Sequence, residues 1–174
     1  RTLQRARQAG MALLLDLHYS DTWADPANQQ LPAAWQGLTL ATLQDSVYQY
    51  TLFVLQSLEA KGLVPEVIQI GNEINSGLLF PLGKITGNDW SGAAALLESA
   101  IRAVRDFSAR SSLQPRIMLH IAQWQNATAW LTGLIQNGQV TDFDWVGVSH
   151  YYVWSAVNSM TAIADSIRSL KAQF

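Results

Sequence analysis

Glutamate is scarce in this chain: there are four, Glu59, Glu66, Glu73 and Glu98. Glu73 alone stands just past a short apolar run, residues 67–70, with Gly71 and Asn72 between. A carboxyl at such a strand end can pass a proton to a substrate, or serve as a fixed hydrogen-bond acceptor. Three more apolar runs end in polar groups: Asp16-Leu17-His18 after residues 11–15, His120 after 117–119, and Ser149-His150-Tyr151-Tyr152 after 146–148. Four strand ends aimed at one face make a convergent site, and that company favours chemistry for Glu73. His18, His120, His150 and Glu73 also have the donor types of a divalent-metal site. Against that, His150 adjoins Tyr151 in strand alternation, so at most one of the pair points inward.

The elements that would hold these groups follow from spacing. Runs of three to five apolar residues without alternation fit parallel strands covered on both faces. Leu40, Leu43, Val47, Tyr50, Val54 and Leu58 recur at three and four residues and stop at Lys61-Gly62, with Pro65 beyond, which predicts an amphipathic helix. A second helix runs from about Ser91 with Leu97, Ile101 and Val104 as its stripe. A third covers residues 128–136 and ends at Asn137-Gly138. The last places Met160, Ile163, Ile167, Leu170 and Phe174 on one side. Helix-to-strand links such as residues 62–66 are short, whereas the strand-to-helix segments 19–38 and 75–89 are long and polar. That asymmetry puts function at the carboxyl ends of the strands. No strand leads into G-x-G-x-x-G, so a barrel is preferred over a dinucleotide-binding sheet.

Composition sets bounds. The chain has 174 residues, no cysteine, 14% charged residues and a formal charge of -2. One ordinary domain is expected, without disulfides or thiolate metal ligands. No cluster of Lys or Arg offers a footprint for nucleic acid or an anionic membrane, and no apolar run approaches the roughly 20 residues of a membrane span. A closed eight-stranded barrel takes about 250 residues, whereas the four strands here fill only part of one.

The run Leu14-Leu15-Asp16-Leu17-His18-Tyr19-Ser20-Asp21-Thr22-Trp23-Ala24-Asp25-Pro26 resembles the third-strand motif of the endo-β-1,4-galactanases, a family of glycoside hydrolases. Val67-Ile68-Gln69-Ile70-Gly71-Asn72-Glu73-Ile74 resembles their fourth strand. Ile117-Met118-Leu119-His120 and Asp142-Phe143-Asp144-Trp145-Val146-Gly147-Val148-Ser149 resemble the fifth and sixth. The likeness implies an α/β fold, an incomplete (β/α)8 TIM barrel holding about strands three to six as one partial catalytic domain over residues 1–174. It implies retaining hydrolysis of β-1,4-galactan without a cofactor, in a secreted or periplasmic protein. Glu73 is then the general acid/base, and Asn72 would bond the 2-hydroxyl of the sugar being cleaved. His18, His120 and Tyr151 would shape the same subsite, Tyr151 by orienting the nucleophile.

Trp23, in a polar loop, is a candidate to stack on a sugar ring, with Trp124 and Trp154 behind it; core packing is the reading for Trp130 and Trp145. Asp21 and Asp25 either bind sugar hydroxyls or cap turns. Two departures stand out. His150 and Tyr152 flank Tyr151 where the family pattern has an aromatic and a proline, and the family's nucleophile glutamate lies at the end of a seventh strand, for which this chain has no counterpart. The isolated chain is therefore expected to be inactive. A non-catalytic carbohydrate-binding remnant is the alternative, with a metal-dependent barrel enzyme behind it. Four strands alone would also leave two open edges and inward apolar residues from 11–15 and 117–119 uncovered, so self-association is expected.

Overall fold

The computed structural model describes residues 1–155 and 159–174. Four strands, β1 (Leu14–Leu17), β2 (Val67–Ile70), β3 (Arg116–Ala122) and β4 (Trp145–Ser149), pair in parallel and in sequence order. Helix α1 (Thr2–Gln8) precedes them; α2 (Leu40–Glu59), α3 (Ser91–Ser108) and α4 (Ala127–Gln136) are the crossovers, and α5 (Met160–Gln173) follows β4. A doubly wound sheet would reverse its strand order midway. Unbroken order with a helix at every crossover is the winding of a barrel wall, here an incomplete (β/α)8 barrel.

Register divides the sheet into two unlike faces. Ile68, Ile70, Ile117, Leu119 and Ile121 are fully buried on the helix-covered face, each contributing about 2 kcal/mol by leaving water. The alternate positions pair as Asp16↔Gln69, Gln69↔Met118 and Met118↔Trp145, and His120 pairs with Gly147. The face that would look toward a barrel axis thus mixes the polar Asp16, Gln69 and His120 with the apolar Leu14, Met118 and Trp145. Of the two apolar runs expected to leave residues open on it, Leu14, 46% exposed, and Met118 lie on this face, while Ile117 and Leu119 face the helices.

Helix α2 begins where the Thr39 hydroxyl accepts from the Thr42 amide at 3.3 Å. Leu43, Val47 and Leu55 are its fully buried stripe. It ends as predicted: the Leu63 amide returns to the Leu58 carbonyl at 2.9 Å around Gly62, whose φ of 64° suits a residue without a Cβ.

Other expectations needed correction. The first strand starts three residues later than its apolar run, because the Leu13 carbonyl accepts from the Glu66 and Val67 amides while the Leu13 amide donates to Glu66 Oε2 at 2.6 Å. That clamp fixes where β1 enters the sheet, and leaves Met11 60% exposed. Helix α1 has no buried residue and so no apolar stripe to betray it. Trp145 is 48% exposed instead of in the core, since it lies on the open face of an edge strand. On α5, Leu170 packs on the core, whereas Met160, Ile167 and Phe174 stay exposed. Trp130 is buried, as expected.

Candidate active site

Strand β2 ends at Ile70, and the chain leaves the sheet through two left-handed residues, Gly71 at φ 75° and Glu73 at φ 50°. The second is uncommon for a residue with a side chain, and persists only where the surroundings fix it. Here they do. Gln29 Nε2 donates to the Asn72 carbonyl at 2.8 Å, and the Ile74 amide donates to the His120 carbonyl at 2.9 Å. The Trp130 indole donates to the Ile74 carbonyl at 3.2 Å. The Asn75 carboxamide then behaves as one more strand residue, donating to the Ala122 carbonyl at 2.9 Å and accepting from the Ala122 amide at 2.7 Å. Glu73 is held from three sides of its backbone, and only 8% of it is exposed.

Asn72 is locked in one orientation. Its Nδ2 donates to the Ala24 carbonyl at 2.8 Å, so its Oδ1 is the atom facing His120 Nδ1 at 2.9 Å. An amide oxygen accepts only, which requires the proton on His120 Nδ1; the Ser149 hydroxyl then donates to Nε2, 2.8 Å away. The Glu73 amide also points at Nδ1, at 3.3 Å, a bond that a protonated Nδ1 cannot accept. The shorter Asn72 contact decides the tautomer. Burial, chiefly, holds the His120 imidazole below its ordinary pKa, against the pull of Glu73 and Asp16.

His18 is equally occupied. Its Nδ1 accepts from the Ala24 amide at 3.0 Å, and its Nε2 lies 3.0 Å from Asp16 Oδ2. Both ring nitrogens are spent on the protein, so what His18 offers outward is its ring, set edge-on to Trp23 at 4.9 Å. Trp23 is 73% exposed. Asp16 Oδ1 is buried without a hydrogen-bond partner, and burial raises the Asp16 carboxyl above its usual range against the opposing charges of His18 and His120.

The acids of the long loop are turned to their own backbone. Asp21 Oδ2 accepts from the Ala33 amide at 2.7 Å. Asp25 accepts from the Ala27 and Asn28 amides at 2.8 and 2.9 Å and from Asn28 Nδ2, which most strongly holds its carboxyl below the usual range. These are the contacts of turn-capping residues.

After β4, Tyr151 is half-exposed and leans on Trp154 at 4.9 Å, while His150 is exposed. At the end of β3 the Gln123 Oε1 and Trp124 Nε1 atoms are buried and unpaired. Among the described residues, no three His, Asp or Glu side chains converge as a metal site would require. Glu73, Asn72, His18, His120 and Trp23 therefore gather at one rim with Asp16 and Ser149 of the strand-end clusters, joined by Gln29 and Gln69, which spacing did not single out. Gln29 gave no signal, because its partner lies 43 positions away.

A parallel βα wall with its polar groups collected beyond the strand ends defines a (β/α)8-barrel protein with its site on that face. The profile of glycosyl hydrolase family 53 matches residues 1–174, and the chain belongs to that family. It is 40% identical over 174 residues to an arabinogalactan endo-beta-1,4-galactanase of Cellvibrio japonicus, covering 98% of this chain and 46% of the relative. The corresponding protein of Thermothelomyces thermophilus is 37% identical over 172 residues, 96% of this chain and 50% of its own. The chain thus spans about half the length of these relatives. Among solved structures, a fungal beta-1,4-galactanase superposes with a TM-score of 0.89 at 36% identity, over 98% of this chain and 52% of the other. The GH53 catalytic domain of Ignisphaera aggregans gives 0.88 at 32% identity, over 99% of this chain and 46% of its own.

Proposed function

We propose that this chain is the acid/base side of a retaining endo-β-1,4-galactanase. The observation that carries the reading is Glu73 itself: an almost buried carboxylate in a left-handed backbone, braced by Gln29, His120, Trp130 and Asn75, beside an amide fixed by Ala24 and His120. The names of the relatives supply the polymer, β-1,4-galactan.

In the forward step Glu73 protonates the glycosidic oxygen as it leaves the anomeric carbon and a second carboxylate bonds to that carbon; in the second step Glu73 takes a proton from the water that attacks the carbon and displaces that carboxylate. Asn72 uses Nδ2 toward Ala24, and the second hydrogen of the same nitrogen bonds the sugar's 2-hydroxyl. Trp23 stacks on a neighbouring ring. Retention demands a second carboxyl about 5 to 5.5 Å from the first. Glu66 cannot supply it, being bonded to Arg7 and Leu13 at the opposite rim, and Glu59 and Glu98 lie on α2 and α3. The attacking carboxylate belongs to a barrel strand outside these 174 residues. A polymeric substrate of this kind is met outside the cytoplasm, so secretion or a periplasmic location goes with the reading.

The test is a complete barrel, made by splicing this chain into the Cellvibrio japonicus relative in place of the matching half. The splice is expected to hydrolyse galactan, and Glu73→Gln to retain oligosaccharide binding while turnover falls by orders of magnitude, since the amide cannot donate the proton. Undiminished turnover in Glu73→Gln removes Glu73 from the role. Binding without hydrolysis in the unsubstituted splice would instead favour a carbohydrate-binding protein.

A further inference from the structure

Asp16 is a carboxylate that the proposed reaction does not use. It sits in β1, on the polar face, with one oxygen 3.0 Å from His18 Nε2 and the other buried and unpaired. The side chain is 27% exposed, but shutting its second oxygen from water without a partner is costly, and an apolar side chain would suit the position better unless the oxygen facing His18 holds something in place.

The hydrogen bonds show what it holds. Because His18 Nδ1 accepts from the Ala24 amide, the ring proton is on Nε2 and is donated to Asp16. The next carbonyl along, that of Ala24, accepts from Asn72 Nδ2, and Asn72 Oδ1 accepts from His120. Ala24 is fully buried, so no water can replace either bond. The indole of Trp23 precedes the same peptide and rests against the His18 ring. One acceptor in β1 thereby fixes an imidazole, the imidazole fixes the loop residue Ala24 by its amide, and the carbonyl of that residue and the indole that precedes it set two groups of the site.

We propose that Asp16 is a positioning residue which, through His18 and Ala24, sets the aim of Trp23 and the orientation of Asn72. Its effect on sugar rests on the galactanase reading; its effect on Trp23 does not. What matters at position 16 is an acceptor oxygen, not the charge: without it the His18 ring is free to turn, the Ala24 amide loses its partner, and Trp23 loses the edge it leans on.

The test is a double-mutant cycle read at Trp23 in the 174-residue chain labelled with 5-fluorotryptophan, the signal being assigned by Trp23→Phe. Asp16→Ala should displace the Trp23 fluorine resonance, and Asp16→Asn, which keeps an acceptor, should leave it near its original place. In a His18→Ala background Asp16→Ala should add no displacement, because the two residues act as one unit. In the spliced barrel, Asp16→Ala should raise KM for galactan by up to about tenfold, the worth of one ordinary hydrogen bond, with a smaller change in kcat and with recovery in Asp16→Asn. An unmoved Trp23 signal in Asp16→Ala, additive effects in the cycle, or Asp16→Asn as damaging as Asp16→Ala would each overturn the proposal. An inactive unsubstituted splice would count against the galactanase reading alone, and the fluorine cycle would still decide the role of Asp16.

Discussion

Replacing Gln29 by Met tests whether Glu73 is held by the loop that crosses behind it. Gln29 is 1% exposed, and its Nε2 donates to the Asn72 carbonyl at 2.8 Å and to the Asp25 carbonyl at 3.0 Å. Met fills a similar volume but offers no donor, so packing changes little while two acceptors lose a partner. The Asp25 carbonyl keeps the Asn28 amide at 3.1 Å, and its loss is about 0.5–1.5 kcal/mol; the Asn72 carbonyl is orphaned at about 1–3 kcal/mol. The sum is roughly 2 to 4 kcal/mol, a fall in melting temperature of about 5 to 15 °C for a chain of this size. Circular dichroism on the 174-residue chain measures it, with Gln44→Met as control, since the Gln44 contact to Ala95 is long at 3.5 Å. In the spliced barrel the same change should lower kcat/KM for galactan by about a hundredfold, because displacement of a reacting group by an ångström has that effect. A Gln29→Met chain that melts with the original would refute the bracing described for Asn72 and Glu73.

Gly71→Ala should destabilise by about 1–3 kcal/mol, since a Cβ there would come 2.5 Å from Ile74 Cγ2 in a backbone at φ 75°, and an unchanged denaturation midpoint would show that the turn out of β2 is plastic. Because burial keeps His120 neutral, the folded chain binds fewer protons than the unfolded one just below pH 6.5; stability, whole above that value, should fall as pH drops through the folded pKa, and His120→Gln should flatten the dependence. Equal slopes of melting temperature against pH in the two proteins would contradict the assignment. Sedimentation at micromolar concentration should show self-association through the free edge of β4 and the apolar groove of about 890 Å³ between α4, β4 and α5, weakened by Phe174→Glu; a monomer with cooperative melting would rule it out.

Much of this could be read from residue order. Glu73 stood out because three of four glutamates fell on helices or the far rim, and α2 because Leu40, Leu43, Val47, Tyr50, Val54 and Leu58 repeat with its turns, although of these only Leu43 and Val47 are fully buried and Leu55 takes the third place. The four strands were legible as short apolar runs, but only β2 kept the bounds of its run; β1 was shifted by the Leu13 clamp, and β3 and β4 run past theirs. What stayed hidden has no period. Gln29 and Asn75 act through single carboxamides on distant backbone, and nothing in their neighbours distinguishes them from loop polars. Gln69 lies inside a strand, where the inward alternate positions of a barrel are polar by demand of the site and not by exposure. Trp145 misled because an aromatic beside Val146 and Val148 implies a core, whereas an edge strand has none on its open face.

The Asn75 side chain has a consequence for how such a protein can change. By bonding both the amide and the carbonyl of Ala122, it closes the ladder beside β3 after its own backbone has left the sheet. Everything from residue 76 to the start of α3 is then downstream of a fixed point. Insertions or deletions in that stretch reach Glu73 through two ties, Asn75 and the Phe80 amide that donates to the Gln29 carbonyl, so the rim between those ties can change length while the Glu73 backbone keeps its place.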